Sequence, residues 1–286
     1  MVLSDMRNYK KMISIGRPID LGYFSNRYVV ALSAITFVIY LLYGLFFVTQ
    51  DISSIETYQI PLKATIISFL AWAIGREFHP DDPLTAMVAQ LITSLSFIFL
   101  FPNFIPSGMA LFLILLCSRT TLLSSSKELT ILDHLAVIGL AVFVGLSTQN
   151  WIYPMIATAA YSVNAYLRSD IRSVMGTVGM SFFTLFVWNR YGSIMYIHDI
   201  SMLLKILAVV MLLLAILAVF FPKQIVTSRN DDNTEALKAE RVIATQLVII
   251  FATVLLANFA SQEGLQTTVA LFPVLSAFPL VRWFNQ

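Results

Sequence analysis

Two short polar stretches hold most of the side chains able to do chemistry. In the first, Arg76, Glu77, His79, Asp81 and Asp82 crowd together between two apolar runs. If that stretch is extended, alternation puts Glu77, His79 and Asp81 on one side. Two carboxylates and an imidazole suit a divalent metal or an acid and base pair. A metal held by Glu77, His79 and Asp81 would neutralise a phosphate or activate water. The plainer reading is architectural. Asp82 before Pro83 is the expected cap and first residue of a helix, Arg76 complements the end of the preceding one, and the remaining charges face solvent.

The second stretch contains Arg119, Ser124, Ser125, Ser126, Lys127, Glu128, Asp133 and His134. Ser125 with Glu128, or Thr130 with Asp133, fits a capping box. His134 stays unexplained by capping. If it met the Glu77 to Asp82 group, the set would suit catalysis on a phosphate-bearing lipid or isoprenoid head group, with Arg119 or Arg76 reading the phosphate.

A third group lies inside the apolar runs and is neutral: Gln90, Asn164, Gln246 and Asn258. Ion-coupled carriers keep an acid or base near the bilayer midplane, and no run here has one. The four residues therefore suit either a path for a neutral or amphipathic solute or hydrogen bonds between helices. No Gly-rich phosphate loop, HExxH, GxSxG or paired Cys ligands occur. With Cys117 alone, no intrachain disulfide can form.

What positions these residues follows from composition. Hydrophobic residues make up 58% of the 286 and charged residues only 12%, against roughly 45 to 50% and 25% in soluble domains. Ten apolar runs follow one another: 28–48, 61–75, 84–101, 107–117, 129–147, 151–167, 173–188, 202–221, 242–260 and 267–281. In hydrocarbon each crossing must satisfy its own backbone hydrogen bonds, so these runs are helices. The expected fold is all-α, a polytopic integral membrane bundle of about ten transmembrane helices. A core of about 30 Å needs roughly 20 helical residues, so the second and fourth runs must extend into their flanks, thin the bilayer, or enter without crossing.

Lys and Arg favour the cytoplasmic side. With the N-terminus inside, only Lys63, Arg190 and Lys205 of the 18 basic residues fall outside. Both termini are therefore expected to be cytoplasmic, in a plasma or inner membrane. Residues 1–27 read as a basic segment lying on the cytoplasmic surface, 28–286 as one transmembrane domain, and 223–241 as a polar cytoplasmic linker that turns helical from Asn233. Trp72, Trp151, Trp188 and Trp283 fall near run ends, as an interfacial belt would place them. Pro154, Pro273 and Pro279 are expected to kink their helices. Division near residue 149 leaves five runs in each half, and an odd number would make homologous halves inverted.

This layout resembles that of drug and metabolite transporters, in layout alone. The leading expectation is a carrier for a small neutral or amphipathic solute. Two others are weighed: an intramembrane enzyme using Glu77, His79, Asp81, Asp82 and His134, and a scaffold or complex subunit. The expected partners are membrane lipid, a small-molecule solute, and another membrane protein or a second copy. A formal charge of +2 and scattered basic residues argue against nucleic acid. No cofactor is required, and a divalent metal belongs to the enzyme reading only.

Overall fold

The computed structural model describes residues 21–47, 54–99, 106–124, 128–192, 202–221, 226–229, 235–259 and 262–284. Most of the expected N-terminal surface segment, the middle of the linker, and Ser125, Ser126 and Lys127 lie outside them. The described residues form ten α-helices, and one isolated bridge between Arg229 and Ala236 is the only strand-like pairing among them. In chain order they are α1 (Phe24–Phe47), α2 (Ser54–Phe78), α3 (Pro83–Phe99), α4 (Gly108–Leu122), α5 (Ile131–Ser147), α6 (Ile152–Arg168), α7 (Ile171–Tyr191), α8 (Met202–Phe220), α9 (Ala239–Phe259) and α10 (Gln262–Phe284).

Among the described residues, four helices are long and apolar enough to cross a membrane: α1, α7, α9 and α10. Segments of α3, α4, α5 and α8 are apolar but shorter. The second apolar run extends N-terminally into α2, which reaches 25 residues with Pro61 inside. The fourth remains short: the 15 residues of α4 span only about 22 Å at the helical rise.

Local chemistry sets several helix ends. Asp82 Oδ1 accepts from the Leu84 backbone N–H at 2.8 Å, so α3 starts at Pro83. Thr130 and Asp133 form the full capping box of α5. Asp170 caps α7, accepting from the Arg172 and Ser173 N–H groups. Leu123, Gln149 and Ser169 take left-handed backbone angles just past α4, α5 and α6, which turns the chain out of each helix. The linker departs from expectation. Its helix begins at Ala239 rather than Asn233, because Ala236 is paired with Arg229 and the Leu237 N–H donates to Ser228 O at 2.9 Å.

The helices group into two compact units. The first holds α1, α2, α3, nearly all of α8, and α10; the second holds most of α4, then α5, α6, α7 and α9. A division near residue 149 does not coincide with them, since α4 and α5 group with α6 and α7.

The two units share an outline, a packed triplet with a fourth helix against it. In the first, α1, α2 and α3 pack on one another and α10 packs on α2 and α3. Arg282 of α10 donates to Ala218 O in the last turn of α8. In the second, α5, α6 and α7 pack on one another and α9 packs on α6. Arg241 of α9 donates to Thr121 O in the last turn of α4. In both, an arginine satisfies a carbonyl that a helix end leaves without an intrahelical partner and sits at the negative end of its dipole.

Small residues let the triplets pack tightly. A Cβ on Gly75 would lie 2.9 Å from Ala86 Cα, so α2 and α3 touch backbone to backbone there. In the second unit, a Cβ on Gly176 would meet the Tyr161 ring at 3.0 Å. Hydroxyls stitch the first triplet together: Ser94 on α3 accepts from Thr36 of α1 at 3.1 Å and shares a 2.7 Å bond with Ser68 of α2. Such neutral bonds are the usual glue between apolar helices.

Candidate functional site

The first candidate cluster closes the gap between α2 and α3 in the first unit. Glu77 does not face solvent; it is 1% exposed and has a bonding partner. His79 Nδ1 lies 2.7 Å from Thr85 Oγ1, and its ring meets Phe278 of α10 edge-on at 4.9 Å. Burial pulls the His79 pKa below its ordinary 6.5; Asp82 and Asp81 oppose this, and Arg282 adds to it. His79 is therefore neutral at pH 7. Asp81 and Asp82 are less buried than Glu77, and Asp82 is engaged in the α3 cap. Among the described residues no group of three or more His, Cys, Asp or Glu side chains converges as a metal site. The alternation that would align Glu77, His79 and Asp81 requires an extended strand, and α2 continues through Phe78.

Trp72 lies near the end of α2. It is buried, with the Arg76 guanidinium 5.6 Å from its ring centroid. Trp188 and Trp283 are exposed.

The four neutral candidates have different surroundings. Gln90 is fully buried in the first unit, and its Nε2 donates to Val29 O and Ser33 Oγ of α1. Its Oε1 is buried with no partner among the described residues. Asn164 is buried in the second unit, donating to Ser173 Oγ at 2.7 Å and accepting from Arg241 Nη1 at 3.0 Å. Gln246 is buried and bonded. Asn258, expected in the interior, is exposed, and its amide donates to Val254 O one turn back on α9.

His134 belongs to the second unit. It is 8% exposed and stacks on Tyr161 with centroids 5.5 Å apart. The Tyr161 hydroxyl donates to His134 O, so its oxygen accepts from His134 Nδ1 at 3.3 Å. That assignment leaves Nε2 with the free lone pair in the neutral ring. Nε2 is buried and has no partner among the described residues.

What the sequence did not single out lies beside it. An open groove of about 540 Å³ runs between α5 and α7, lined by Ile131, His134 and Ile138 on one side and Arg172, Gly179 and Phe183 on the other. Its walls are almost wholly apolar apart from His134 and Arg172. The Asp170 carboxylate near its mouth remains ionised. Burial pushes its pKa up, but hydrogen bonds from the Ser173 hydroxyl and the Arg172 and Ser173 backbone N–H groups, with the His134 charge, bring it below the ordinary 3.8. Spacing alone carries a signal for this groove. Arg172, Gly176, Gly179 and Phe183 follow one another at helical intervals along one stripe of α7.

Comparison with protein-family models, with curated proteins and with solved structures gives no match.

Proposed function

We propose that this protein is a multi-pass membrane carrier for a small neutral or amphipathic solute. The observation that carries the reading is the shared plan of its two five-helix units, each with a packed triplet, a closing helix and an arginine clamp. Transporters are commonly built from such internal repeats, with the solute bound near the midplane. Gln90 is the strongest of the neutral candidates, because its buried amide oxygen has unused bonding capacity.

Several pairings are compatible with every helix crossing, and the side they share is taken as cytoplasmic from the bias of Lys and Arg. Arg76 reaches Ser25, Arg168 pairs with Glu128, Arg241 with Thr121 O, and Arg282 with Ala218 O. Each pair is separated by an even number of helices, as it must be if every helix crosses and both partners lie on one side.

The test is uptake into liposomes of a broad panel of neutral and amphipathic solutes. Wild type should move at least one, and Gln90→Ala should slow it. A protein that moves none of the panel, and in which Gln90, Asn164, Gln246 and Asn258 can each become Ala without phenotype in cells, is not a carrier of this kind.

A second reading, an enzyme acting on a lipid head group at the cytoplasmic leaflet, draws on one observation. A half-buried, neutral His79 lies close enough to Asp81 and Asp82 to feel both charges, which is a serviceable general base. His79→Gln would abolish turnover of such a substrate while leaving transport intact.

A further inference from the structure

The groove between α5 and α7 has a form that packing between helices does not require. Its lining runs from Ile131 to Val142 on α5 and from Arg172 to Phe183 on α7. The eleven helical rises between the ends of each lining cover about 16 Å, which is about the depth of one leaflet in a hydrocarbon core of about 30 Å. Its volume of about 540 Å³ lies within the roughly 300 to 1,000 Å³ of small-ligand clefts.

The two polar side chains in its lining stand at the end where both helices begin. Arg172 is exposed, and its guanidinium makes no ion pair among the described residues. Asp170, two residues before it, is committed to the α7 cap through both oxygens. Asp133 is likewise held in the α5 capping box. His134 supplies the second group: a ring over nine-tenths buried, fixed by Tyr161, with Nε2 unpartnered. A buried nitrogen left unsatisfied at the head of an apolar trough calls for a partner, and an unpaired guanidinium calls for an anion.

We propose that this groove binds an anionic phospholipid with a hydroxylated head group, one acyl chain lying along α5 and α7, the phosphate held by Arg172 and a head-group hydroxyl donating to His134 Nε2. The chain supplies what the apolar walls bury, the phosphate supplies the anion that Arg172 lacks, and a head-group hydroxyl supplies the donor that the His134 Nε2 lone pair lacks. The phosphodiester is ionised at neutral pH and only accepts, so it pairs with Arg172, while the neutral His134 ring accepts a hydrogen bond from a head-group hydroxyl. Gly179 keeps the trough deep: a Cβ there has nothing within 4 Å, so the position is open space that a larger side chain would fill. The inference uses the membrane setting but not the carrier reading, and the site stands on the second unit alone.

The test is native mass spectrometry of the full chain released from detergent with equal amounts of dioleoyl-phosphatidylglycerol and dioleoyl-phosphatidylcholine. Wild type should hold the glycerol lipid about tenfold more, the scale of one hydrogen bond to a charged group. Gly179→Leu should lose the bound lipid. Gly139→Leu, the matched control, also has nothing within 4 Å of its Cβ and lies outside the groove lining, so it should bind as wild type does. Arg172→Gln should keep a bound lipid but lose the preference. Equal retention of both lipids by wild type, or the same binding in Gly179→Leu and Gly139→Leu, overturns the proposal. So does an unchanged preference in Arg172→Gln, which decides the matter if a leucine variant fails to fold. Displacement of the lipid by an equal concentration of inorganic phosphate would make the site one for a bare anion and overturn the lipid assignment. Liposome uptake in the same variants should be unchanged in kind, so loss of either proposal leaves the other standing.

Discussion

Arg241 and Asn164 should behave as one structural unit, and a double-mutant cycle measures it. Arg241 is 7% exposed and makes two hydrogen bonds, both from Nη1: to Thr121 O at 2.7 Å and to Asn164 Oδ1 at 3.0 Å. Neither acceptor is charged. Asn164→Leu leaves a buried guanidinium with a single acceptor and should cost about 2 to 3 kcal/mol, the scale of losing a hydrogen bond to a buried charge. Arg241→Met strands the Asn164 amide oxygen and should cost about 1 to 3 kcal/mol. Replacing both removes the stranded groups together, so the double variant should be less destabilised than the sum by about 1.5 to 3 kcal/mol. Equilibrium unfolding in mixed detergent micelles reads all four corners. Additivity to within about 0.5 kcal/mol would show that the two side chains do not share a buried bond, and the clamp between α9 and α6 would be wrong.

Three further outcomes follow from single sites. Gly75→Ala places a Cβ 2.9 Å from Ala86 Cα, so α2 and α3 must separate and the protein should lose about 1 to 3 kcal/mol in the same unfolding assay. Ser169→Gly should raise stability by about 1 kcal/mol, since Ser169 is exposed with φ of 57°; an unchanged or lower midpoint would argue against that backbone angle. His79 gives a pH dependence: the folded state holds its pKa below 6.5, so the unfolded state binds more protons there. Its contribution is present above pH 6.5 and declines as pH falls below that value. Wild type should lose more melting temperature than His79→Gln on going from pH 7.5 to 5.5, and parallel losses would contradict this.

The all-helical class was legible because long, unbroken apolar runs satisfy their own backbone bonds as helices. Helix starts were legible too: Asp82 before Pro83 and Thr130 with Asp133 act over three residues and need no tertiary context. The grouping into units was not, because it depends on which helices meet, and α8 and α10 join α1 to α3 across more than a hundred residues. For the same reason a charge count left Glu77 in solvent, while packing buries it. Trp72 was read from its place near a run end, which says nothing of which face α10 and α3 cover. His134 was noticed as unexplained, yet its partner Tyr161 lies 27 positions away. Arg172, Gly176 and Gly179 could have been found from their shared helical stripe.

Labelling of single cysteines in intact and permeabilised cells tests the membrane map most directly. In a Cys117→Ala background, whose native thiol is fully buried, Arg168→Cys and Lys238→Cys should react only after permeabilisation. Gln149→Cys, at the opposite ends of α5 and α6, should react in intact cells. If the positions at 168 and 238 are labelled from opposite sides, the alternation of basic residues does not describe this protein, and the ten-crossing bundle is wrong.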